Sequence, residues 1–288
     1  MKTVELTKGI HSSVIGFGCA PVLGAVDAKT AKHAIELALD HGVNHLDLAR
    51  SYGYGEAEKF VGKIIKLKRH ELVVASKFGI RANWKAHLLR SAKPLIRTLR
   101  KSKAEKRTET VSSTQTNTKN VASLFFDRIV PLRGKDMRNS LEKSLSELGS
   151  DYLDYFFIHE PLVSLTHSEE LSETAEILKA EGKIRAWGLA YMQSQEQLHQ
   201  SYLNVFDILQ FNNPPASPAY DGLVSTRGMK PNIIFSPIRG GSPTMRPAEK
   251  IKKALTDFPN SVMLCSMFNP EHIKQNIKIA AQAQLEIV

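Results

Sequence analysis

One strand–helix–strand repeat lies in residues 43–78, VNHLDLARSYGYGEAEKFVGKIIKLKRHELVVASKF. Its two ends, VNHLDLA (43–49) and LVVASKF (72–78), are short runs that are apolar on both faces, which is typical of strands in a parallel sheet that helices cover on both sides. The stretch between them, GEAEKFVGKIIKLK (55–68), is predicted to be the connecting helix. The segment therefore indicates an α/β fold built from strand–helix repeats.

The same kind of run recurs along the whole chain. Eight runs have the length of a strand and are apolar on both faces: VIGFGCA (14–20), VNHLDLA (43–49), LVVASKF (72–78), YLDYFFIH (152–159), IRAWGLA (184–190), FDILQFN (206–212), NIIFSPI (232–238) and SVMLCSM (261–267). Helical patterns separate them, although the Pro- and Gly-rich connection 213–231 is expected to contain little helix. Eight strands in 288 residues predict one domain, residues 1–288, with the (β/α)8 TIM barrel fold, and a doubly wound open sheet is the alternative.

Composition excludes several classes of protein. Hydrophobic residues make up 42% of the chain and charged residues 24%, which excludes a wholly disordered protein. No apolar run approaches the length of about 18 residues that a membrane span needs, and the first residues contain no apolar signal-peptide core, so we expect a cytoplasmic protein. The two cysteines are far apart, and no Cys/His cluster has the spacing of metal ligands, so neither a disulfide framework nor a metal site is expected.

Positive charge is concentrated in one segment. The net charge is +10, but residues 81–121 contain 11 basic and 2 acidic residues, so 28 basic and 27 acidic residues remain elsewhere. We interpret residues 81–131 as a long insertion after the third strand, and its polar part is expected to be mobile or partly disordered, as an active-site lid would be. Phe125, Phe126 and Ile129 are expected to pack back onto the domain. The insertion is a candidate for anion binding, but no stable nucleic-acid or membrane partner is expected.

Four polar residues lie at or just after the ends of predicted strands. Asp47, Tyr52, Lys77 and His159 would meet at one mouth, because the carboxyl ends of parallel barrel strands converge there. The Lys77 ammonium is expected to lower the pKa of the Tyr52 phenol, Asp47 to orient Lys77, and His159 to donate to a carbonyl oxygen. Taken singly, such residues are more often ion pairs, packed rings or core histidines. Their ordered combination indicates a site that reduces a carbonyl.

Four stretches resemble the aldo-keto reductase family. They are GVNHLDLARSYGYGEAEKFVGK (42–63), VVASKFG (73–79), SLEKSLSELGSDYLDYFFIHEP (140–161) and GKIRAWGLA (182–190). The resemblance implies that Tyr52 is the general acid/base, that His159 orients the carbonyl, and that Asp47 and Lys77 tune the phenol. It implies an NAD(P)H-dependent oxidoreductase that interconverts an aldehyde or ketone with its alcohol, with sugars among the candidate substrates.

The resemblance also implies a nicotinamide cofactor, NADPH or NADH. Gln210, at the end of the sixth barrel strand, would hold the carboxamide, because an amide side chain offers both a donor and an acceptor. Phe235 would stack on the nicotinamide ring. Ser236, Ile238 and Arg239 lie where the family's seventh loop meets the pyrophosphate.

Some positions depart from the family pattern. Ala190 and Tyr191 stand where the family usually has Ser-Asn against the carboxamide. Ser266 and His272 align with positions where NADPH-dependent members hold the 2′-phosphate, and Asn276 matches an adenine contact. The coenzyme preference is left open by these replacements. They also permit an alternative function, a catalytically weak relative that acts as a cofactor-binding sensor or regulatory subunit.

Overall fold

The computed structural model describes residues 1–86, 88 and 124–285. In these residues the strands are β1 (Thr3–Thr7), β2 (Ile10–Ser13), β3 (Ile15–Gly18), β4 (His45–Asp47), β5 (Val73–Phe78), β6 (Ile80–Ala82), β7 (Phe126–Arg128), β8 (Leu153–His159), β9 (Ile184–Tyr191), β10 (Ile208–Asn212), β11 (Ile233–Phe235) and β12 (Val262–Cys265). Strands β3, β4, β5, β8, β9, β10, β11 and β12 pair in parallel in this order and close into a barrel. The (β/α)8 barrel predicted from the eight apolar runs is confirmed, and each run overlaps one barrel strand.

The helices of the described residues follow the barrel strands. They are α1 (Ala28–Asp40), α2 (Ala57–Ile65), α3 (Gly134–Leu148), α4 (Ser168–Ala180), α5 (Glu196–His199), α6 (Tyr220–Arg227), α7 (Pro247–Asp257) and α8 (Pro270–Leu285). Helix α1 begins after Asp27, whose carboxylate accepts a hydrogen bond of 3.0 Å from the Thr30 backbone N–H. The first N–H groups of a helix have no partner within the helix, and the Asp27 side chain supplies one. None of the described helices is both long and apolar enough to cross a membrane.

One helix contradicts the sequence prediction. The connection 213–231 was expected to contain little helix, yet α6 occupies eight of its residues. Its side chains explain the difference, because Tyr220 and Leu223 are buried in the barrel's outer layer and the Tyr220 hydroxyl donates to Asp257 at 2.8 Å. Tertiary packing here outweighs the weak local preference of the segment.

The β1–β2 hairpin lies at the amino ends of the barrel strands. Asn44, which directly precedes β4, accepts a hydrogen bond of 2.7 Å from the Ser13 backbone N–H and donates to the His11 carbonyl at 3.0 Å. The hydroxyls of Thr7 and Tyr155 are 3.0 Å apart. The hairpin therefore occupies the end opposite to the carboxyl ends of the strands.

The two ends of the predicted insertion form an antiparallel ribbon. Strand β6 pairs with β7, with Ile80 opposite Arg128 and Ala82 opposite Phe126. The sequence pattern of the insertion required no strand, but two three-residue segments at its ends pair across a long sequence gap. Residues 89–123, on which most of the predicted mobility and the predicted anion binding fall, lie outside the described residues.

The aromatic residues that close the insertion contact the domain as predicted. The rings of Phe125 and Phe126 lie 6.1 Å and 5.5 Å from the Tyr54 ring, and Ile129 packs against the core. The ribbon is therefore attached directly beside the loop that carries Tyr52.

Candidate active site

The carboxyl ends of the barrel strands surround a cavity of about 1310 Å³. All four residues predicted to carry the chemistry line it: Asp47, Tyr52, Lys77 and His159. Asp47 ends β4, His159 ends β8, and Lys77 lies one residue before the end of β5, so the parallel arrangement alone brings three of them together.

Lys77 is the centre of the hydrogen-bond network in this mouth. Its ammonium donates to Asp47 Oδ1, to the Leu48 carbonyl at 2.9 Å and to the Tyr52 hydroxyl at 3.3 Å. Gln210 Nε2 donates to the other oxygen of Asp47 at 2.9 Å. Because Lys77 and Asp47 are almost fully buried, each of these charges depends on the other for compensation.

A tight turn places Tyr52. Residues Tyr52–Tyr54 form a 3-10 turn, and Gly53 within it has a φ of +61°. A Cβ at Gly53 would lie 2.8 Å from the Val22 carbonyl oxygen, so the turn requires glycine both for its backbone conformation and for the close approach. The turn directs the phenol over the barrel instead of into the surrounding helices.

Arg50 does not line the cavity, although it follows the end of β4. Its guanidinium contacts Glu58 and donates to Glu147 at 3.1 Å, while Ser76 donates to the second oxygen of Glu58 at 2.6 Å. This buried network joins the loop before Tyr52 to α2 and α3. Arg50 therefore supports the loop, and its position next to a strand end does not make it part of the mouth.

The Tyr52 phenol differs from the sequence expectation. Lys77 was expected to lower its pKa, but burial raises the pKa of Tyr52 well above 10, and the negative charges of Asp47 and Glu160 raise it further. The loss of hydration, which disfavours the phenolate, dominates at this buried position. The phenol is therefore protonated near neutral pH.

His159 lies beside Tyr52 as a neutral imidazole. The two rings are 5.8 Å apart at an angle of 82°, and the buried His159 Nδ1 has no hydrogen-bond partner in the described residues. Burial lowers the pKa of His159 well below 6.5, and the positive charges of Lys77 and Arg128 lower it further. A neutral imidazole has one N–H, which it can donate to a carbonyl oxygen.

Sequence reasoning missed two charged residues of this mouth. Glu160 and Arg128 both line the cavity, and the Arg128 Nη1 donates to the Glu160 carbonyl oxygen at 2.5 Å. Glu160 has a φ of +42°, which is strained for a residue with a side chain, and its backbone N–H donates to the Ala190 carbonyl at 2.7 Å. These two hydrogen bonds hold the turn directly after His159. Burial raises the pKa of the Glu160 carboxyl, and Lys77 and Arg128 oppose that rise.

The predicted cofactor residues divide into two groups. Five of them line the cavity together with the four chemical residues: Gln210, Phe235, Ser236, Arg239 and Ser266. Three lie elsewhere, since Ile238 is 44% exposed in the loop after β11, His272 is exposed on α8, and Asn276 is half-buried on α8. The geometry thus brings the candidates for the nicotinamide end together, but it does not bring the three outlying candidates into the mouth.

Gln210 has an unused hydrogen-bonding atom. Its side chain is 1% exposed, its Nε2 is fixed by Asp47, and its Oε1 has no partner in the described residues. A buried unpaired acceptor is costly, so a ligand with an N–H donor fits here. The carboxamide of a nicotinamide is such a donor, and the partly buried Phe235 ring lies in the same mouth.

A lysine supports the loop that follows β11. The buried Lys250 ammonium donates to the Gly240 carbonyl at 2.6 Å and to the Ile238 carbonyl at 3.4 Å. This fixes the loop segment between Ser236 and α7, where Arg239 lies.

In the described part of the chain, no group of three or more His, Cys, Asp or Glu side chains is arranged to hold a metal ion.

Comparisons with known proteins agree with this geometry. A sequence model described as "Aldo/keto reductase family" matches residues 14–213. Aldo-keto reductase YhdN of Bacillus subtilis is 31% identical over 191 residues, which is 63% of this chain and 44% of that protein. The NADH-specific methylglyoxal reductase of Escherichia coli is 28% identical over 220 residues, which is 73% of this chain and 58% of that protein. The chain thus spans about half the length of the curated relatives it matches.

A solved structure shows the same fold. The aldo-keto reductase from Klebsiella pneumoniae in complex with NADPH superposes with a TM-score of 0.63 at 20% identity. The superposition covers 99% of this chain and 94% of that chain. At this identity the likeness establishes the barrel fold and nothing finer.

Proposed function

Because the chain belongs to the aldo-keto reductase family, we propose that it is an NAD(P)H-dependent oxidoreductase that interconverts a small aldehyde or ketone and its alcohol. One observation carries the proposal, the meeting of Tyr52, Lys77, Asp47 and His159 in one mouth with the Lys77 ammonium 3.3 Å from the Tyr52 hydroxyl. A reduced nicotinamide, when bound, supplies the hydride for the carbonyl carbon.

Tyr52 supplies the proton in the direction of reduction. The phenol is protonated at neutral pH, because its pKa is ordinarily about 10 and burial raises it, so it has a proton to give as negative charge develops on the carbonyl oxygen. The phenolate left behind is stabilised by Lys77, whose ammonium lies beside the hydroxyl and is itself held by Asp47. In the reverse direction the phenolate accepts the proton of the alcohol.

His159 orients the carbonyl. Its neutral ring would donate one N–H to the carbonyl oxygen, and its short distance from the Tyr52 ring allows both side chains to reach one oxygen. The turn held by Arg128 and Glu160 keeps the imidazole in place. Positioning of this kind reduces the entropy cost of reaching the transition state.

The cofactor would lie against Gln210 and Phe235. The unpaired Gln210 Oε1 would accept a hydrogen bond from the carboxamide, and Phe235 would cover one face of the ring. Among the predicted phosphate contacts, Arg239 is the cation that lines the cavity, and it is our candidate for the pyrophosphate or the 2′-phosphate. The NADPH complex of the Klebsiella relative and the NADH specificity of the Escherichia coli relative support both coenzymes as candidates.

Fluorescence titration with NADPH and NADH, followed by turnover with small aldehydes, tests this function. We expect saturable binding of at least one coenzyme and its oxidation when an aldehyde is added. In Arg239→Ala, the affinity for NADPH should fall about tenfold more than that for NADH if Arg239 binds the 2′-phosphate, and equally for both if it binds the pyrophosphate. Folded protein that binds neither coenzyme would contradict the proposal, and binding without turnover would favour the sensor alternative.

A further inference from the structure

A small side chamber opens beside His159. It has a volume of about 90 Å³ and shares Arg128, His159 and Leu162 with the larger cavity. Eight of the thirteen described residues that line it are apolar: Ile129, Val130, Pro131, Leu132, Pro161, Leu162, Val163 and Leu165. The chamber is therefore a mostly apolar space that adjoins the candidate active site at the residue assigned to the carbonyl oxygen.

Large apolar side chains also lie at the rim of this chamber. Val130 is 62% exposed, Leu162 is 54% exposed and Val163 is 49% exposed. Single exposed apolar residues are ordinary, but these three belong to one lining, where the ribbon's return segment meets the loop after β8. Exposed apolar side chains in the lining of a mostly apolar cavity suit an apolar group of a ligand.

Hydrogen bonds behind the walls keep the chamber open. The Leu165 backbone N–H donates to the Tyr202 hydroxyl at 3.0 Å, and that hydroxyl lies 2.6 Å from the His199 Nδ1. On the opposite wall, the Ile129 backbone N–H donates to the Gly79 carbonyl at 2.9 Å. Both walls are fixed by backbone groups, so a ligand would enter a preformed space.

We propose that this chamber is a specificity subsite for a short alkyl arm on the carbonyl substrate, an inference that rests on the proposed oxidoreductase function. A cavity of about 150 Å³ holds benzene, which has six carbon atoms. In proportion, the chamber's 90 Å³ holds an arm of about three to four carbon atoms. A polyhydroxylated arm fits less well, because its hydroxyls would leave water for a lining that is mostly apolar.

A series of straight-chain aldehydes measures this directly. With the preferred coenzyme saturating, kcat/KM is determined for ethanal, propanal, butanal, pentanal, hexanal and octanal. Each methylene buried in an apolar site contributes about a fourfold gain. We therefore expect a rise of about 60-fold from ethanal to pentanal and no further gain beyond it, because additional carbon atoms leave the chamber.

Two variants of Leu165 locate the effect. Leu165→Trp fills the chamber, so the ratio of pentanal to ethanal should fall from about 60 to below about 5. Leu165→Ala enlarges it, so the gain should continue to hexanal or beyond. Leu67→Ala is the matched control, because Leu67 is 87% exposed and follows α2, away from the cavity; it should retain the parent's chain-length dependence.

The outcomes separate the two proposals. A flat series in a protein that turns over every aldehyde overturns the chamber assignment and leaves the oxidoreductase function intact. A full chain-length dependence in folded Leu165→Trp also overturns the assignment. If that variant does not fold, the shift of the plateau in Leu165→Ala decides the question, and an unshifted plateau overturns it. Turnover of no aldehyde by folded, coenzyme-binding protein overturns the proposed function itself.

Discussion

Replacing Lys77 with methionine removes the cation that compensates Asp47 in the barrel mouth. The two side chains are only 3% and 5% exposed, so Asp47 would remain as a buried carboxylate with Gln210 as its donor. Breaking a buried ion pair by removing one partner costs about 3–5 kcal/mol. With an unfolding entropy of about 2.1 cal/mol/K per residue, the 288-residue chain would lose about 5–8 °C in Tm.

Urea unfolding of four proteins tests this reasoning: the parent, Lys77→Met, Asp47→Asn and the double variant. The double variant buries no unpaired charge, so its free energy of unfolding should exceed that of Lys77→Met by at least about 2 kcal/mol. Equal slopes in urea confirm that the same transition is compared. The reasoning is refuted if Lys77→Met loses less than about 1 kcal/mol, or if the second substitution restores nothing.

Three further substitutions test other parts of the site and the core. Arg128→Ala releases the strained turn after His159 and should lower kcat/KM about tenfold. Arg81→Ala, on the neighbouring strand of the ribbon, is the control and should leave kcat/KM unchanged. Equal effects of the two variants in steady-state assays would contradict the positioning role of Arg128. Gln210→Leu should weaken NADPH binding about tenfold in a fluorescence titration, and unchanged affinity would remove Gln210 from the cofactor site. Burial lowers the pKa of His45 from 6.5 to about 3, so its stabilising contribution is complete above pH 6.5 and is lost as the pH falls, because the unfolded chain takes up the proton first. Between pH 6 and 4, the unfolding free energy of His45→Gln should therefore fall less steeply than that of the parent, and the two slopes should differ by about 1.4 kcal/mol per pH unit. A variant with the parent's slope in urea unfolding across this range would disprove the assignment.

The barrel could be predicted because its strands are buried on both faces. Continuous apolar runs such as YLDYFFIH (152–159) are distinct from the helical patterns between them, and β8 lies entirely within that run. The mouth was predictable for the same reason, since Asp47, Lys77 and His159 stand at or near strand ends and parallel strands bring those ends together. The single-domain organisation over residues 1–288 stays a prediction.

The features that the sequence did not reveal depend on contacts between distant segments. Strands β6 and β7 have three residues each, which is too short for a periodic pattern to be recognised in the sequence. Only their pairing places Arg128 against Glu160. The direction of the Tyr52 pKa shift also depends on a balance between burial and neighbouring charge. Residue types alone suggested the effect of Lys77, whereas the degree of burial, which decides the sign, is a property of the folded chain.

Comparing the unmodified protein with Tyr52→Phe tests the central claim most directly. Oxidation of NADPH or NADH is followed with butanal as the substrate, and coenzyme affinity is measured on the same samples. Because the phenol acts only in proton transfer, the account predicts a fall in kcat of about 10²–10⁴-fold with coenzyme affinity unchanged within about twofold. A Tyr52→Phe protein that reduces butanal at the parent's rate would contradict the account.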